Sequence, residues 1–359
     1  MSCFVDCSAD FRNSPLKMQI PEIRARSTQR DIAKALGVSH STVSLALRDS
    51  PKLTPTRRLQ IQEAAQKMGY QPNPVAAALS HFKRTSSITP IRAALAWLNL
   101  WPRPAELRKL REFDCYWRGA NAAAEKLGYH LEEFSSADFN SSSHLEKILF
   151  ARGINGILLP PQRDGPDFAP FQWDRFSAVR FGRSVQKPRV HLVTANQVSN
   201  AVIAFNRATE LGYKRIGFVL GHTRALFQAG FLMAQQRLDE PSRVPVYRAD
   251  EANPASTIYG IARWIRKYKP DAILTDIKVL IDLVRKSGYR VPEDIGVAAM
   301  SILDGGADAG IDQQPEEIGR VGLLVLTSLI NDNARGVPPI FREILVEGSW
   351  VDGSSLPPR

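Results

Sequence analysis

Four hydroxyl side chains, Ser39, Ser41, Thr42 and Ser44, crowd the stretch GVSHSTVSLAL at residues 37–47, with valine and leucine between them. Hydroxyls beside the apolar face of a short helix either serve the helix itself or meet a polar partner. The surrounding charge bears on which. Residues 28–84 hold nine Lys and Arg against three acids, a net of +6 within a whole-chain net charge of +11. A basic segment at one end of a chain attracts a polyanion. The alternative is a merely solvated basic face, and charge alone does not separate the two.

Reactive chemistry has little to work with elsewhere. There is no G-x-S-x-G, no P-loop and no G-x-G-x-x-G, and the six histidines are scattered without metal-ligand spacing. No catalytic residue, metal or cofactor is expected, and the chain reads as a protein that is not an enzyme. Cys3, Cys7 and Cys115 are too few for a disulfide framework and read as free thiols in a reducing cytoplasm. The opening MSCFVDCSAD is acidic and lacks the basic start and apolar core of a secretory signal. The longest apolar run, around Ile91 to Trp101, is too short to span a bilayer and contains Arg92 and Asn99. A cytoplasmic location with no membrane partner is expected.

The hydroxyl-rich stretch must be positioned by its neighbours. Residues 28–68 read as three short helices. Thr28 with Asp31 resembles a capping box, and Ile32, Ala33 and Leu36 share a face. Gly37 stops that helix, and Ser39 caps the next, whose apolar side is Val43, Ala46 and Leu47. Thr54 and Pro55 give an N-cap and first turn, followed by Ile61, Ala64, Ala65 and Met68 at helical spacing. A helix, a glycine turn and a second helix form a helix-turn-helix pattern. Next, GYQPNPVAAALSHFKR (69–84) is a stiff entry into a helix too short to be stable alone. TSSITP (85–90) is a linker by composition.

From Ile91 onward helices and strands alternate, as in IRAALAWL, GANAAAEKLGYHLEEF and INGILLPP. That order predicts parallel sheets covered by helices, and the number of elements favours two doubly wound subdomains. The Gly-Tyr pairs at 128–129, 212–213 and 288–289 read as helix stops followed by a packed tyrosine. The resulting plan is a leader at 1–27, with Met18 as an alternative start, and a head at 28–69. A hinge helix and linker occupy 70–87, and an α/β core fills 88–359. Within the core one subdomain takes about 88–190 and 315–339, the other about 191–314 and 340–359.

The segment TQRDIAKALGVSHSTVSLALRDSPKLTPTRRLQIQEAAQKMGYQPNPVAAALS resembles the head and hinge of LacI/GalR-family transcription regulators. Downstream, INGILLP, ATELGYKRIGFVLG, SGYRVPEDIGVAAM and GIDQQPEEIGRVGLLVL resemble their effector-binding, periplasmic-binding-protein-like core. The resemblance covers roughly Thr28 to Gly353. It implies a homodimer on a pseudo-palindromic double-stranded DNA operator, with the second helix of each head in a major groove, and most often a repressor. Thr28, Thr42, Ser44 and Asn73 stand at the family's phosphate-facing positions, where small donors fit close to the backbone. His40, Ser41 and Leu45 stand at the base-reading positions, with Arg48 one turn on. Leu45 departs from the arginine of well-studied members and cannot donate to guanine; it suits a thymine methyl. Leu79 stands where the family places a minor-groove wedge, and Ala76 leaves room for paired hinge helices.

The same resemblance implies a small-molecule effector, a sugar or other metabolite, between the subdomains. Carried over by position, its candidates are Trp97, Asn99, Arg183, Phe227, Asp276, Ser301 and Gln313. Phe227 and Ser301 replace an arginine and an aspartate that the family commonly uses on sugar hydroxyls, which puts an ordinary sugar inducer in doubt. Trp101 offers a stacking surface, and Arg224 and Asp304 are nearby substitutes for the lost charges. Two other readings stay open here. One is a sugar-binding receptor, against which the basic head and the missing signal count. The other is a regulator that has stopped responding to a ligand.

Overall fold

The computed structural model describes residues 29–47, 53–68, 70, 93–135, 138–163, 171–221, 225–250 and 252–359. Thr28, Arg48, Asn73, Ala76, Leu79 and Arg224 lie outside the described residues, as do the leader and the hinge helix. The chain forms two compact units, residues 1–90 and 91–359.

In the first unit, α1 (Gln29–Leu36), α2 (His40–Leu47) and α3 (Pro55–Lys67) enclose a small core. Each helix contributes two fully packed residues: Ile32 and Ala33, Val43 and Ala46, Ile61 and Ala65. Leu36, Leu47 and Met68 flank them. The turn after α1 is a Schellman closure: the Val38 N–H donates to Ala33 O at 3.0 Å and Gly37 to Lys34 O at 3.4 Å. Gly37 has φ +63° and nothing within 4 Å of a built Cβ, so backbone conformation rather than space selects glycine. Thr54 precedes α3 in extended conformation with Pro55 in the first turn, as expected, but its side chain makes no cap hydrogen bond. Two long-range bonds lock the helices together. Gln62 Nε2 donates to Ala46 O at 2.9 Å, and Gln29 Nε2 donates to Tyr70 OH at 2.9 Å.

The second unit is built from two lobes. The chain runs through β1 (Ala93–Asn99), α4 (Ala105–Lys109), α5 (Arg111–Lys126), β2 (Tyr129–Ser135), α6 (Ser142–Ala151), β3 (Gly156–Leu159), β4 (Ser177–Phe181) and β5 (His191–Ala195). It crosses over into α7 (Gln197–Glu210), β6 (Ile216–Leu220), α8 (Ala225–Gln235), β7 (Tyr247–Arg248), α9 (Pro254–Tyr268), β8 (Ala272–Thr275), α10 (Leu280–Lys286), β9 (Gly296–Ala299) and β10 (Gly310–Asp312). It then returns as α11 (Pro315–Asn331) and β11 (Glu343–Val346), and ends in the second lobe with β12 (Ser349–Val351).

The first-lobe sheet has the order β11-β5-β4-β3-β1-β2 and the second β12-β10-β9-β8-β6-β7. Pairing is parallel throughout except between β10 and β12. Helices cover both faces, so strands are apolar on both sides. On β1, Leu95 and Trp97 enter the cluster under α5 and α11, while Ala96 and Leu98 enter the opposite one with Leu145 and Leu149 of α6. In the second lobe, Phe218 and Leu220 of β6 pack with Phe205 of α7 and Phe231 of α8, and Val219 faces Ile261 and Trp264 of α9.

The lobe boundaries differ from those expected. Residues 191–195 and 343–346 were expected in the second subdomain. Both belong to the first sheet, where Leu192 pairs with Glu343 and β5 lies between β4 and β11. The chain therefore crosses after Ala195, after Asp312 and after Val346. A buried parallel strand such as HLVTA carries nothing in its sequence that says which of two similar sheets it joins.

Candidate nucleic-acid interface and ligand cleft

Ser39 caps helix α2, whose Val43 and Ala46 pack into the head core. The Ser39 Oγ accepts the Thr42 N–H at 3.1 Å and also meets Ser41 Oγ at 2.7 Å and Thr42 Oγ1 at 2.8 Å. The hydroxyls thus gather at the amino end of the helix, where the helix dipole favours an anion. Val43 and Ala46 turn inward. His40 and Ser41 are exposed, and Thr42, Ser44 and Leu45 are half-buried. At helical spacing His40, Ser41, Ser44 and Leu45 share the face opposite the core. The described head residues carry Arg30, Lys34, Arg57, Arg58 and Lys67 against Asp31 and Glu63, so this face sits in a positive unit. A small helix with a polar outward face in a basic surround can enter a major groove and meet phosphates at its amino end.

The larger unit holds a cavity of about 600 Å³ between its lobes. Leu110, Glu112, Phe113, Tyr116, Pro161, Arg183 and Thr194 line it from the first lobe; Gln197, Phe227, Asp276, Lys278, Met300, Ser301, Asp304 and Gln313 line it from the second. Many follow the carboxyl ends of parallel strands, where ligands bind in open α/β sheets. Of the seven residues carried over from sequence, the cavity gathers Arg183, Phe227, Asp276, Ser301 and Gln313. Asp276 Oδ1 accepts the Gly221 N–H at 3.0 Å, and Gln313 Nε2 donates to Met300 O at 2.9 Å. Phe227 is fully buried and forms a wall. Arg183 makes a two-pronged bond to Glu343 at 2.9 and 2.8 Å, which holds the Glu343 carboxyl below its usual range. Asp304 is in the lining, as one of the expected substitutes for lost charge.

Trp97 and Asn99 are not in this lining. Both lie on β1, the strand between β2 and β3, and are fully buried. Trp97 packs edge-on against Trp117 at 5.4 Å and beside Phe181 at 5.5 Å. Asn99 braces the following loop: its amide donates to Pro104 O at 2.9 Å and Glu133 Oε1 at 2.7 Å, and its oxygen accepts the Trp101 N–H. Trp101 is also packing, with its indole N–H on Pro161 O at 2.8 Å and its ring under Arg163. Sequence reasoning overlooked the start of α5, where Glu112, Phe113 and Tyr116 present themselves to the cleft. Their signal was position: they begin the first long helix after the first strand of the sheet.

Among the described residues no cluster of His, Cys, Asp and Glu is placed to hold a metal ion, and no helix is long and apolar enough to cross a membrane.

Comparison with known proteins agrees with both halves. Residues 28–73 match the lacI family of bacterial regulatory proteins, and residues 205–356 match a periplasmic binding protein-like domain. The transcriptional regulator MalR of Streptococcus pneumoniae is 22% identical, with 89% of this chain and 97% of MalR covered. The transcriptional repressor CytR of Escherichia coli is 23% identical, covering 86% and 91%. In fold the chain is similar to the regulator CelR in complex with cellobiose, with a TM-score of 0.53 at 19% identity over 92% of this chain and all of CelR (100%). The Lac repressor dimer bound to operator and an anti-inducer gives 0.50 at 17% identity, over 92% of this chain and 99% of that one.

Proposed function

We propose that this chain, a member of the lacI family of bacterial regulatory proteins, is a sequence-specific regulator that binds a pseudo-palindromic operator as a homodimer. It is a transcriptional regulator and not an enzyme. The observation that carries the specific reading is the two-sided α2, with Val43 and Ala46 inward and His40, Ser41 and Leu45 outward. On this reading His40, Ser41, Leu45 and Arg48 meet base edges, and Thr28, Thr42, Ser44 and Asn73 meet phosphates. Leu79 wedges a base step in the minor groove and Ala76 allows the hinge helices to approach.

The cavity between the lobes takes a small molecule that biases DNA affinity, by binding one arrangement of the lobes better than another. Five of its candidate contacts are Arg183, Phe227, Asp276, Ser301 and Gln313. CelR was solved with cellobiose. Here a fully buried phenylalanine and a serine stand at two candidate positions, so a ligand less dependent on ionic contacts to hydroxyls fits better. The action is repression, as in CytR.

Selection of bound duplexes from a random DNA pool tests this. A two-fold-related consensus is expected, with affinity for it falling steeply as salt rises because counterions are released. Equal affinity for all sequences, or a flat salt response, overturns the reading.

A further inference from the structure

The start of α5 is joined to the opposite lobe. The helix has Leu110 at its N-cap position, and no side chain there accepts a helix N–H. Its second amide, that of Glu112, is instead accepted by Asp304 Oδ2 at 3.1 Å. Asp304 belongs to the loop after β9 in the second lobe, so one lobe caps a helix of the other. Two more bonds cross at the same place. Ser301 Oγ donates to Glu112 Oε2 at 3.2 Å, and the Arg111 guanidinium donates to Leu303 O at 3.3 Å. Each side is braced behind the crossing. Tyr116 OH donates to Glu112 Oε1 at 3.2 Å from one turn along α5, and Lys278 Nζ lies 3.7 Å from Asp304 Oδ1.

The geometry points to a clasp: we propose that Glu112 and Asp304 hold the two lobes closed across the cleft, so that closure is set by the chain's own residues. The physical case rests on what separation of the lobes exposes. It would take the Asp304 carboxylate from the Glu112 amide in the first turn of α5, and the Glu112 carboxylate from Ser301. Bonds to a carboxylate are the stronger kind, and Asp304 sits at the positive end of the helix dipole. Glu112, Ser301 and Asp304 all line the cavity. A ligand that needs the Ser301 hydroxyl as a donor must take it from Glu112, so such binding and lobe separation draw on the same bond. That last consequence depends on the cleft being a ligand site; the clasp itself does not.

The experiment uses the full chain without added ligand or DNA. Small-angle scattering and amide hydrogen exchange are compared for wild type, Asp304→Ala and the Glu112→Ala, Asp304→Ala pair. Expected are a larger radius of gyration in the variants and exchange across residues 110–114 faster by about tenfold, the loss of one charge-assisted hydrogen bond. Exchange in β1 and β3 should stay as in wild type, which separates opening from unfolding. If the pair does not fold, Ser301→Ala and Arg111→Ala each remove one crossing bond and should give smaller shifts in the same direction. Scattering and exchange identical to wild type in every folded variant overturn the clasp. Neither measurement involves DNA, so the operator reading and the clasp can fail separately.

Discussion

The Ser39 hydroxyl accepts the Thr42 amide at 3.1 Å and so starts the helix whose outward face meets the bases on the proposed reading. The same oxygen gathers Ser41 and Thr42 side chains at that end. Ser39→Ala removes the cap and leaves an N–H at the helix start without its acceptor. A stability loss of about 1 kcal/mol is expected for the head, measured by thermal unfolding of the full chain followed at the head's amides. DNA affinity should fall with it. An unchanged melting profile would show that the Ser39 contacts do not hold α2.

Leu45 occupies the outward face of α2 half-buried, beside exposed Ser41. A leucine side chain offers no donor, so on the proposed reading a base pair beside it is read only through apolar contact. Leu45→Arg should create a preference for guanine at one position of each half-site, worth about 1–3 kcal/mol. Binding to duplexes differing at each half-site position measures it. A preference unchanged at every position would remove Leu45 from the base-reading set.

The head was legible because its signals are local. A glycine turn, a serine cap and apolar pairs spaced along each helix need no distant partner, and Ile32, Val43 and Ile61 all lie in the core as their spacing predicts. The cleft was only partly legible. Asp276 and Ser301 follow strands whose order the sequence shows, and both line the cavity. Trp97 and Asn99 sit at the end of the first strand too, but a central strand buries its side chains on both faces, and sequence does not show how far a strand projects beyond its neighbours. The clasp was hidden for a different reason. Glu112 and Ser301 are separated by 189 positions, and a hydrogen bond at that range has no periodic trace.

Asn99 supports a loop rather than a ligand. Its amide satisfies Pro104 O and Glu133, and its oxygen takes the Trp101 N–H. Asn99→Ala empties a fully buried position and removes the hydrogen bonds to Pro104 O, Glu133 and the Trp101 N–H. Chemical denaturation should show a loss of about 1–3 kcal/mol. A change below about 0.5 kcal/mol, the size usual for surface positions, would mean that the brace contributes nothing.

The C-terminal segment is tied to the second lobe through Asp308, which gives it an acid-sensitive anchor. Asp308 Oδ2 accepts the Ser354 amide and hydroxyl at 2.8 and 2.7 Å, and Oδ1 accepts the Ser355 amide at 2.8 Å. Burial alone raises the pKa of this carboxyl, but the Ser354 and Ser355 donors outweigh it and hold the group well below the usual carboxylate range. The sign follows from linkage. A carboxyl depressed in the folded state stabilises the fold above the unfolded aspartate pKa of about 4, and that contribution is lost as pH falls below it. Asp308→Asn has no such charge to lose. The variant should be less stable than wild type at neutral pH, and the gap should narrow steadily as pH falls below about 4. Urea unfolding across that range reads the gap directly, and a gap that stays constant with pH would show that the Asp308 charge is not what anchors the segment.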